Sequence, residues 1–269
     1  MPSLSPFTKE QLMPQPEMLE IKKQKSELFI GLPKETNVEE KRISLNPDAV
    51  SALVAHGHRV VVETGAGEGA NYTDKQYSDA GAKISYDVKE AFQCHIVLKV
   101  DPPTLEEIKI MNPQAILVSA LQLKTQHKKY FAALTKKRIT AIAFDFIKDH
   151  QNVYPILKSL SEIAGTASVH IAAELMSNSN GGNGLLFGNI VGVAPTEVVI
   201  LGAGTVGEYA AKAALGMGAS VKVFDNSITK LRKIQQEVNS PIYTSTVQPK
   251  QLAKALMRCN IVILSLIHI

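Results

Sequence analysis

Three glycines and one acid carry the most chemistry in this chain. Gly202, Gly204 and Gly207 form a Gly-x-Gly-x-x-Gly run, entered by the β-branched apolar segment Val198–Leu201. A helical pattern of Ala210, Ala211, Ala214 and Met217 follows, and a second apolar run then ends in Asp225. Each part has a task in holding a dinucleotide. Gly202 permits the tight strand-to-helix turn, Gly204 lets the backbone approach a pyrophosphate, and Gly207 lets helix and strand pack closely. The amino end of the helix offers unpaired N–H groups and a partial positive charge to phosphates. Asp225 stands 18 positions beyond Gly207, near the ~20 at which a carboxylate accepts ribose hydroxyls. Asn226 follows it with no adjacent arginine for a 2′-phosphate, so the pattern predicts NAD over NADP. The alternative is a glycine-rich βαβ turn that holds no ligand.

The elements that must position these residues can be read from periodicity. Strand candidates are Leu28–Leu32, Arg59–Glu63, Ile96–Val100, Ala115–Ser119 and Thr140–Phe144, with helical patterns at Pro47–His56, Thr104–Met111 and Thr125–Lys137. This alternation with β-branched cores predicts an α/β protein whose parallel sheet is covered by helices on both faces. A longer helical pattern, Ser159–Met176, leads to the Asn/Gly cluster Ser177–Gly184, a break before the nucleotide-binding unit. That unit adds helices near Val206–Met217 and Ile228–Val238 and a buried strand at Asn260–Leu264. The chain stops at Ile269. A doubly wound dinucleotide-binding sheet usually has about six strands, so the second domain is expected to be incomplete and the chain as it stands an inactive fragment.

Composition narrows the class. The 269 residues are 45% hydrophobic, enough for a real core and two domains. The net charge of +4 is small and the Lys and Arg are dispersed, which argues against nucleic acid as a partner. Cys94 and Cys259 each sit in apolar strand patterns and read as reduced core thiols of a cytoplasmic protein, not as a disulfide or a metal site. No apolar stretch approaches the ~18 residues that span a bilayer. Residues 1–27 lack the apolar core of a signal peptide and read as a surface arm.

The opening of the folded part, Phe29-Ile-Gly-Leu-Pro-Lys-Glu-Thr36 followed by Lys41-Arg-Ile-Ser-Leu-Asn-Pro47, resembles one family. It comprises alanine dehydrogenases and the NAD-binding α subunits of nicotinamide nucleotide transhydrogenases. The resemblance continues through Gly57–Gly67, Tyr77–Ala82, Leu98-Lys-Val100, Ser161-Glu-Ile-Ala-Gly165 and Gly181-Gly-Asn-Gly184 into the glycine fingerprint. It implies two doubly wound, Rossmann-like domains with the active site in the cleft between them, hydride passing to or from NAD. The expected division is a substrate domain at 28–155 and an NAD-binding domain at 156–269. On the cofactor side, the resemblance places Ser161, Thr205, Val206, Asp225 and Lys230 at the dinucleotide.

On the substrate side the resemblance assigns Arg42 to the substrate carboxylate, where a planar bidentate donor suits better than a lysine. The dehydrogenase run Lys-Val-Lys-Glu-Pro is here Lys99-Val-Asp-Pro-Pro103, so Asp101 replaces the second lysine. Lys99 is two residues earlier and on the same strand face, to act from the cleft side or to pair with Asp101. The family's catalytic histidine aligns with Gln122, which can position a carbonyl or water but cannot shuttle a proton near neutral pH. His127, five residues on, reads as a solvated helix residue. The family's catalytic aspartate would fall beyond residue 269, and His268 is given no role.

These residues imply an NAD-dependent oxidoreductase that converts a small amino acid to its 2-oxo acid, with Arg42, Lys99 and Gln122 at the substrate and the chain in a homo-oligomer. A transhydrogenase-like NAD(H) module, working with a membrane subunit, is the alternative. Leu98-Lys-Val100, Glu106-Glu-Ile108 and Asn112-Pro113 resemble that branch, whereas its Arg-Ile-Ser-Arg-Ala-Gln loop is replaced by Lys148–Tyr154. A third reading is an eroded site that only binds cofactor.

Overall fold

Stretches of β-branched residues separated by amphipathic segments pack here as two open parallel sheets with helices on their faces. The computed structural model describes residues 27–238 and 240–265; the expected N-terminal arm, apart from Glu27, and His268 lie outside them. The chain divides into two units between Ile142 and Ala143.

In the first unit the order is β1 (Phe29–Leu32), α1 (Pro47–Ala55), β2 (Arg59–Glu63), α2 (Asp74–Asp79), β3 (Lys83–Ser85), α3 (Val88–Phe92), β4 (Ile96–Leu98), α4 (Leu105–Ile110), β5 (Ile116–Ser119), α5 (Lys128–Lys136) and β6 (Thr140–Ala143). The sheet runs β3-β2-β1-β4-β5-β6, and β1 pairs in parallel with both β2 and β4. Ile30, Leu32, Val60 and Val62 bury one face against Val50 of α1 and Tyr77 of α2. Val61 meets Ala91 of α3 and Cys94 on the other. Gly31 is required there, because a Cβ would lie 1.8 Å from the Ala91 carbonyl oxygen. Local chemistry sets the helix starts: Asn46 accepts the Ala49 N–H at 2.9 Å before Pro47, and Thr73 and Gln76 close a capping box on α2.

The second unit holds α6 (Pro155–Met176), β7 (Glu197–Leu201), α7 (Thr205–Gly216), β8 (Ser220–Phe224), α8 (Ile228–Glu237), β9 (Tyr243–Ser245), α9 (Pro249–Leu256) and β10 (Ile261–Leu264). Its sheet runs β10-β7-β8-β9, all parallel. Val198, Ile200, Val221, Val223, Ile261 and Ile263 face the alanines of α7 and Val169 of α6. Val199 and Phe224 face Ala255 of α9 on the opposite side. Both sheets are thus covered on two faces, as the alternation predicted.

The helix α6 begins at Pro155, four residues before the expected start, because proline is already set for the first helical position. It therefore starts within what the sequence reading assigned to the first domain. Conversely, α5 starts at Lys128 and not at Thr125. Gln122 adopts φ +48 and its carbonyl accepts the Thr125 N–H at 2.9 Å, a turn that delays the helix.

Candidate functional site

In an open parallel sheet, ligands collect at the carboxyl ends of the strands where the winding reverses. In the second unit this point lies between β7 and β10. The chain leaves β7 through Gly202 at φ +110, a conformation glycine alone adopts freely. The Gly202 N–H donates to the Phe224 carbonyl at 2.7 Å. A Cβ on Gly207 would lie 1.9 Å from the Gly202 carbonyl oxygen, whereas one on Gly204 would meet nothing within 4 Å. The two glycines therefore serve different ends: Gly207 packs the helix on the turn, and Gly204 leaves open space in front of the backbone. Gly204 is also the N-cap of α7 and no side chain caps it. The first N–H groups of α7 have no intrahelical partner, so they are available to an anion.

Asp225, at the end of β8, is 9% exposed. Its Oδ2 accepts the Ala203 N–H at 2.8 Å and its Oδ1 accepts the Ser227 N–H at 2.7 Å. Acid and glycine turn are thus tied together, and each oxygen keeps lone pairs for a further donor. A cavity of about 310 Å³ opens beside the turn, lined by Gly204, Thr205 and Val206 with Tyr154, Leu157, Lys158 and Ser161 of the α6 segment, Lys233 of α8, Val153 and Ser265. Ser161 Oγ donates to the Leu157 carbonyl at 2.8 Å. Lys230 is exposed on the first turn of α8 and does not line the cavity; Lys158 and Lys233 do, and sequence reasoning missed both. Their only signal was spacing, since Lys158 precedes Ser161 by one turn. The open approach at Gly204, the uncapped helix end and the tethered acid fit a dinucleotide.

In the first unit the winding reverses between β1 and β4. The loop after β1 carries Arg42 and is pinned at both ends. Glu35 Oε1 accepts the Val100 N–H at 2.6 Å, and Tyr77 Oη donates to the Leu45 carbonyl at 2.8 Å. The Arg42 guanidinium donates to both oxygens of Glu40, from Nε at 2.8 Å and Nη2 at 2.6 Å. That fork holds the arginine's pKa up and the Glu40 carboxyl down. Glu40 is nearly buried while Arg42 is half exposed, at 8% and 54% of their side chains, so one face of the cation still meets solvent.

Lys99 stands elsewhere than on a cleft wall. Its side chain is fully buried, 2.9 Å from Glu107 Oε1 and 3.5 Å from Glu35 Oε2. The ammonium also lies 5.8 Å from the centroid of the Phe92 ring, whereas Asp101 turns to Asn37, its Oδ2 accepting from Asn37 Nδ2 at 2.8 Å. The physical reason is the strand register: Lys99 follows Val97 on the face covered by α3 and α4, where an ammonium must be paired. Burial raises the pKa of Glu35, and Lys99 opposes that only in part. Gln122 is exposed just past β5, and His127 is the N-cap of α5 without a capping bond. Asp101 lies close enough to Arg42 to act on its charge, while Gln122 stands in the loop that leaves the neighbouring strand β5. Burial holds Cys94 at about 11, a protonated thiol. Among the described residues, no group of three or more His, Cys, Asp and Glu forms a metal site.

Two parallel-sheet units, one carrying a dinucleotide-type turn, define a two-domain nucleotide-binding fold, and comparison with known proteins specifies it. The alanine dehydrogenase/PNT N-terminal domain model matches residues 31–164 and the corresponding C-terminal domain model matches residues 168–268. The chain belongs to the alanine dehydrogenase/PNT family. It is 35% identical over 236 residues to an alanine dehydrogenase of Bacillus subtilis, covering 88% of this chain and 62% of the relative. A Methanococcus maripaludis alanine dehydrogenase is 35% identical over 237 residues, with 88% and 63% covered. The chain thus spans less than two thirds of these relatives' length. Among solved structures, an L-alanine dehydrogenase superposes with a TM-score of 0.79 at 34% identity, over 87% of this chain and 65% of that one. A transhydrogenase from Sinorhizobium meliloti shares the fold, with a TM-score of 0.75 at 22% identity over 88% and 69%.

Proposed function

We propose that this chain belongs to an NAD-dependent oxidoreductase of the alanine dehydrogenase type, acting on a small amino acid and its 2-oxo acid. The observation that carries the reading is the tie between Asp225 and Ala203, which sets an acid beside a glycine turn open to solvent at Gly204. Gly202, Gly204, Thr205, Val206 and Gly207 would hold the pyrophosphate, Asp225 the ribose hydroxyls, and Ser161 and Lys230 further parts of NAD. Bound NAD would supply the acceptor for the electrons of the substrate C–H bond. Arg42, fixed by Glu40, would take the substrate carboxylate on its exposed face.

Two departures shape what the remaining residues do. Lys99, enclosed by Glu35 and Glu107, would act through the β4 end it anchors and not by touching substrate. Gln122 would orient a carbonyl or a water without carrying a proton. The cytoplasmic homo-oligomer inferred from the sequence belongs to this proposal; among the described residues no helix is long and apolar enough to cross a membrane.

A second reading has support in the same departures. With Asp101 paired to Asn37 and Lys99 buried, the first unit offers Arg42 and little else to an amino acid. That suits an NAD(H) module of transhydrogenase type, or one that only binds cofactor. Two measurements on the full-length protein separate the readings: titration with NADH, and NADH formation with L-alanine as donor. Saturable NADH binding with alanine-dependent NADH formation supports the first reading. Saturable NADH binding without it favours the second, and no NADH binding rejects both.

A further inference from the structure

Two cations at the cofactor turn have no role so far. Tyr154, Leu157, Lys158 and Ser161 follow one another at spacings of three, one and three, which puts them on one face of the α6 segment. Gly165 fixes where that face points. A Cβ there would lie 2.4 Å from the Val206 carbonyl oxygen and 2.8 Å from Tyr209 Cβ, so α6 and α7 touch through their backbones. Ser161 lies one turn and Lys158 about two turns back along α6, at ~1.5 Å per residue. Both therefore run beside the amino end of α7, and both line the cavity that holds Gly204, Thr205 and Val206. Lys233 lines it from α8.

Neither ammonium is fully neutralised locally. Among the described residues Lys158 has no carboxylate within ion-pairing distance. Lys233 reaches Glu208 only at 3.9 Å, and Glu208 is already bound by Lys212 at 2.7 Å. The cavity also receives the positive end of the α7 dipole, uncapped by any side chain. Lys148, over the Tyr154 ring at 5.0 Å, adds positive charge near its rim. One sign of charge so concentrated repels itself in the free protein and attracts a compact anion. The ribose acid Asp225 does not line this cavity, so the anion it fits is the one at the turn. We infer that Lys158 and Lys233 bracket the pyrophosphate of the dinucleotide, adding a charge clamp to the backbone cradle. This assignment rests on the dinucleotide reading above.

Fluorescence titration of NADH tests it, using the full chain, Lys158→Gln, Lys233→Gln and the double variant. Lys254→Gln on α9 serves as a charge control. Each single change should weaken NADH about fivefold and the double roughly twentyfold, the scale of exposed ion pairs summed over two sites. ADP-ribose, which retains the pyrophosphate, should lose affinity in parallel when it competes. Lys158→Arg should stay within about twofold of the unmutated chain, since charge at that position is what counts. Raising the salt from low to physiological strength should weaken the unmutated chain more than the double variant, because salt screens exposed charge. Saturable NADH binding that is unchanged in a folded double variant would overturn the clamp alone. So would a loss of NADH with ADP-ribose affinity intact. If the unmutated chain binds no NADH, the dinucleotide reading falls and the clamp with it.

Discussion

The backbone N–H of Ala203 donates to Oδ2 of Asp225 at 2.8 Å, joining the middle of the glycine turn to the end of the neighbouring strand. A carboxylate usually assigned only to ribose therefore also holds the turn in shape. Replacing it tests both tasks. Asp225→Asn presents one amide NH2 to a backbone N–H on either side, because both oxygens now accept. Leaving a buried donor unmet costs roughly 1–3 kcal/mol. Urea unfolding should register that loss, and NADH affinity should drop with it. Asp225→Ala should in addition narrow the preference for NAD over NADP, since a 2′-phosphate no longer meets a negative charge; calorimetry with both cofactors reads this directly. Equal affinities in the unmutated chain would contradict the specificity argument.

Gly204 and Gly207 make a sharper pair. Gly207→Ala drives a methyl into the Gly202 carbonyl oxygen, so the chain should lose stability by about 1–3 kcal/mol and NADH binding as well. Gly204→Ala meets open space at φ −80, so its melting temperature should stay close to that of the unmutated chain. Its NADH affinity should nevertheless fall tenfold or more, because the methyl occupies the approach a phosphate needs. If Gly204→Ala binds NADH normally, the open space is not the ligand's.

Much of this was legible from pattern. The strands β2 and β7 are runs of β-branched residues, β1 is apolar throughout, β8 alternates Val221 and Val223, and the glycine fingerprint marked the turn and Asp225. Two short strands were not legible: β3 and β9 have three residues each, mixed polar and apolar, too few to show a period, whereas the equally short β4 lies in the apolar run Ile96–Leu98. For α2, by contrast, Thr73-x-x-Gln76 was a capping signal in plain view. Lys99 shows the other limit. Strand alternation set Lys99 on one face with Asp101 and suggested the cleft side, but only the fold shows that Glu35 from the β1 loop and Glu107 from α4 enclose it, 64 and 8 positions away in sequence. Glu40 was missed because an acid two residues from an arginine has no spacing that marks a fork.

The Lys99 cluster predicts a pH response. Burial, the larger cause, raises the Glu35 pKa in the fold above its ordinary 4.5, while Lys99 and the N–H groups of Val100 and Asp101 oppose it and Asp101 reinforces it. A raised folded pKa means that the group's contribution is complete below 4.5 and is lost as pH climbs through the folded value. Glu35→Gln keeps an acceptor for the Val100 N–H and removes the titration. In urea unfolding across pH, the difference between variant and unmutated chain should therefore move in the variant's favour from 4.5 upward and then level off. A difference independent of pH would mean that Glu35 does not titrate in that range. Lys99→Met should be far more damaging, by about 3–5 kcal/mol, because it strands two buried carboxylates.

Arg42→Lys separates substrate from cofactor. The lysine keeps the charge but loses the fork with Glu40 and the planar face left over. Pyruvate binding, followed by ligand-observed NMR, should weaken tenfold or more, while NADH binding stays as it was. The reverse pattern would make Arg42 a structural residue of the loop.

Gln122 gives the most direct test of the chemistry. It sits exposed at φ +48, a conformation in which histidine is found more readily than most residues, so Gln122→His should leave stability unchanged. Amino-acid oxidation needs a group that accepts and returns protons, and such help is typically worth about 10²–10⁴-fold. Glutamine cannot supply it, so alanine oxidation should be slow in the unmutated full-length protein. Asp101→Lys must accompany the histidine, because Asp101 sets a negative charge where the substrate's own carboxylate approaches. Losing the Asn37 bond to Asp101 frees that loop slightly, which a thermal melt would show. In the full-length protein the double variant should then raise alanine-dependent NADH formation by one or more orders of magnitude, with NADH affinity constant. A double variant that folds, binds NADH and gains no alanine turnover would count against an amino-acid site, and would favour the NAD(H)-module reading.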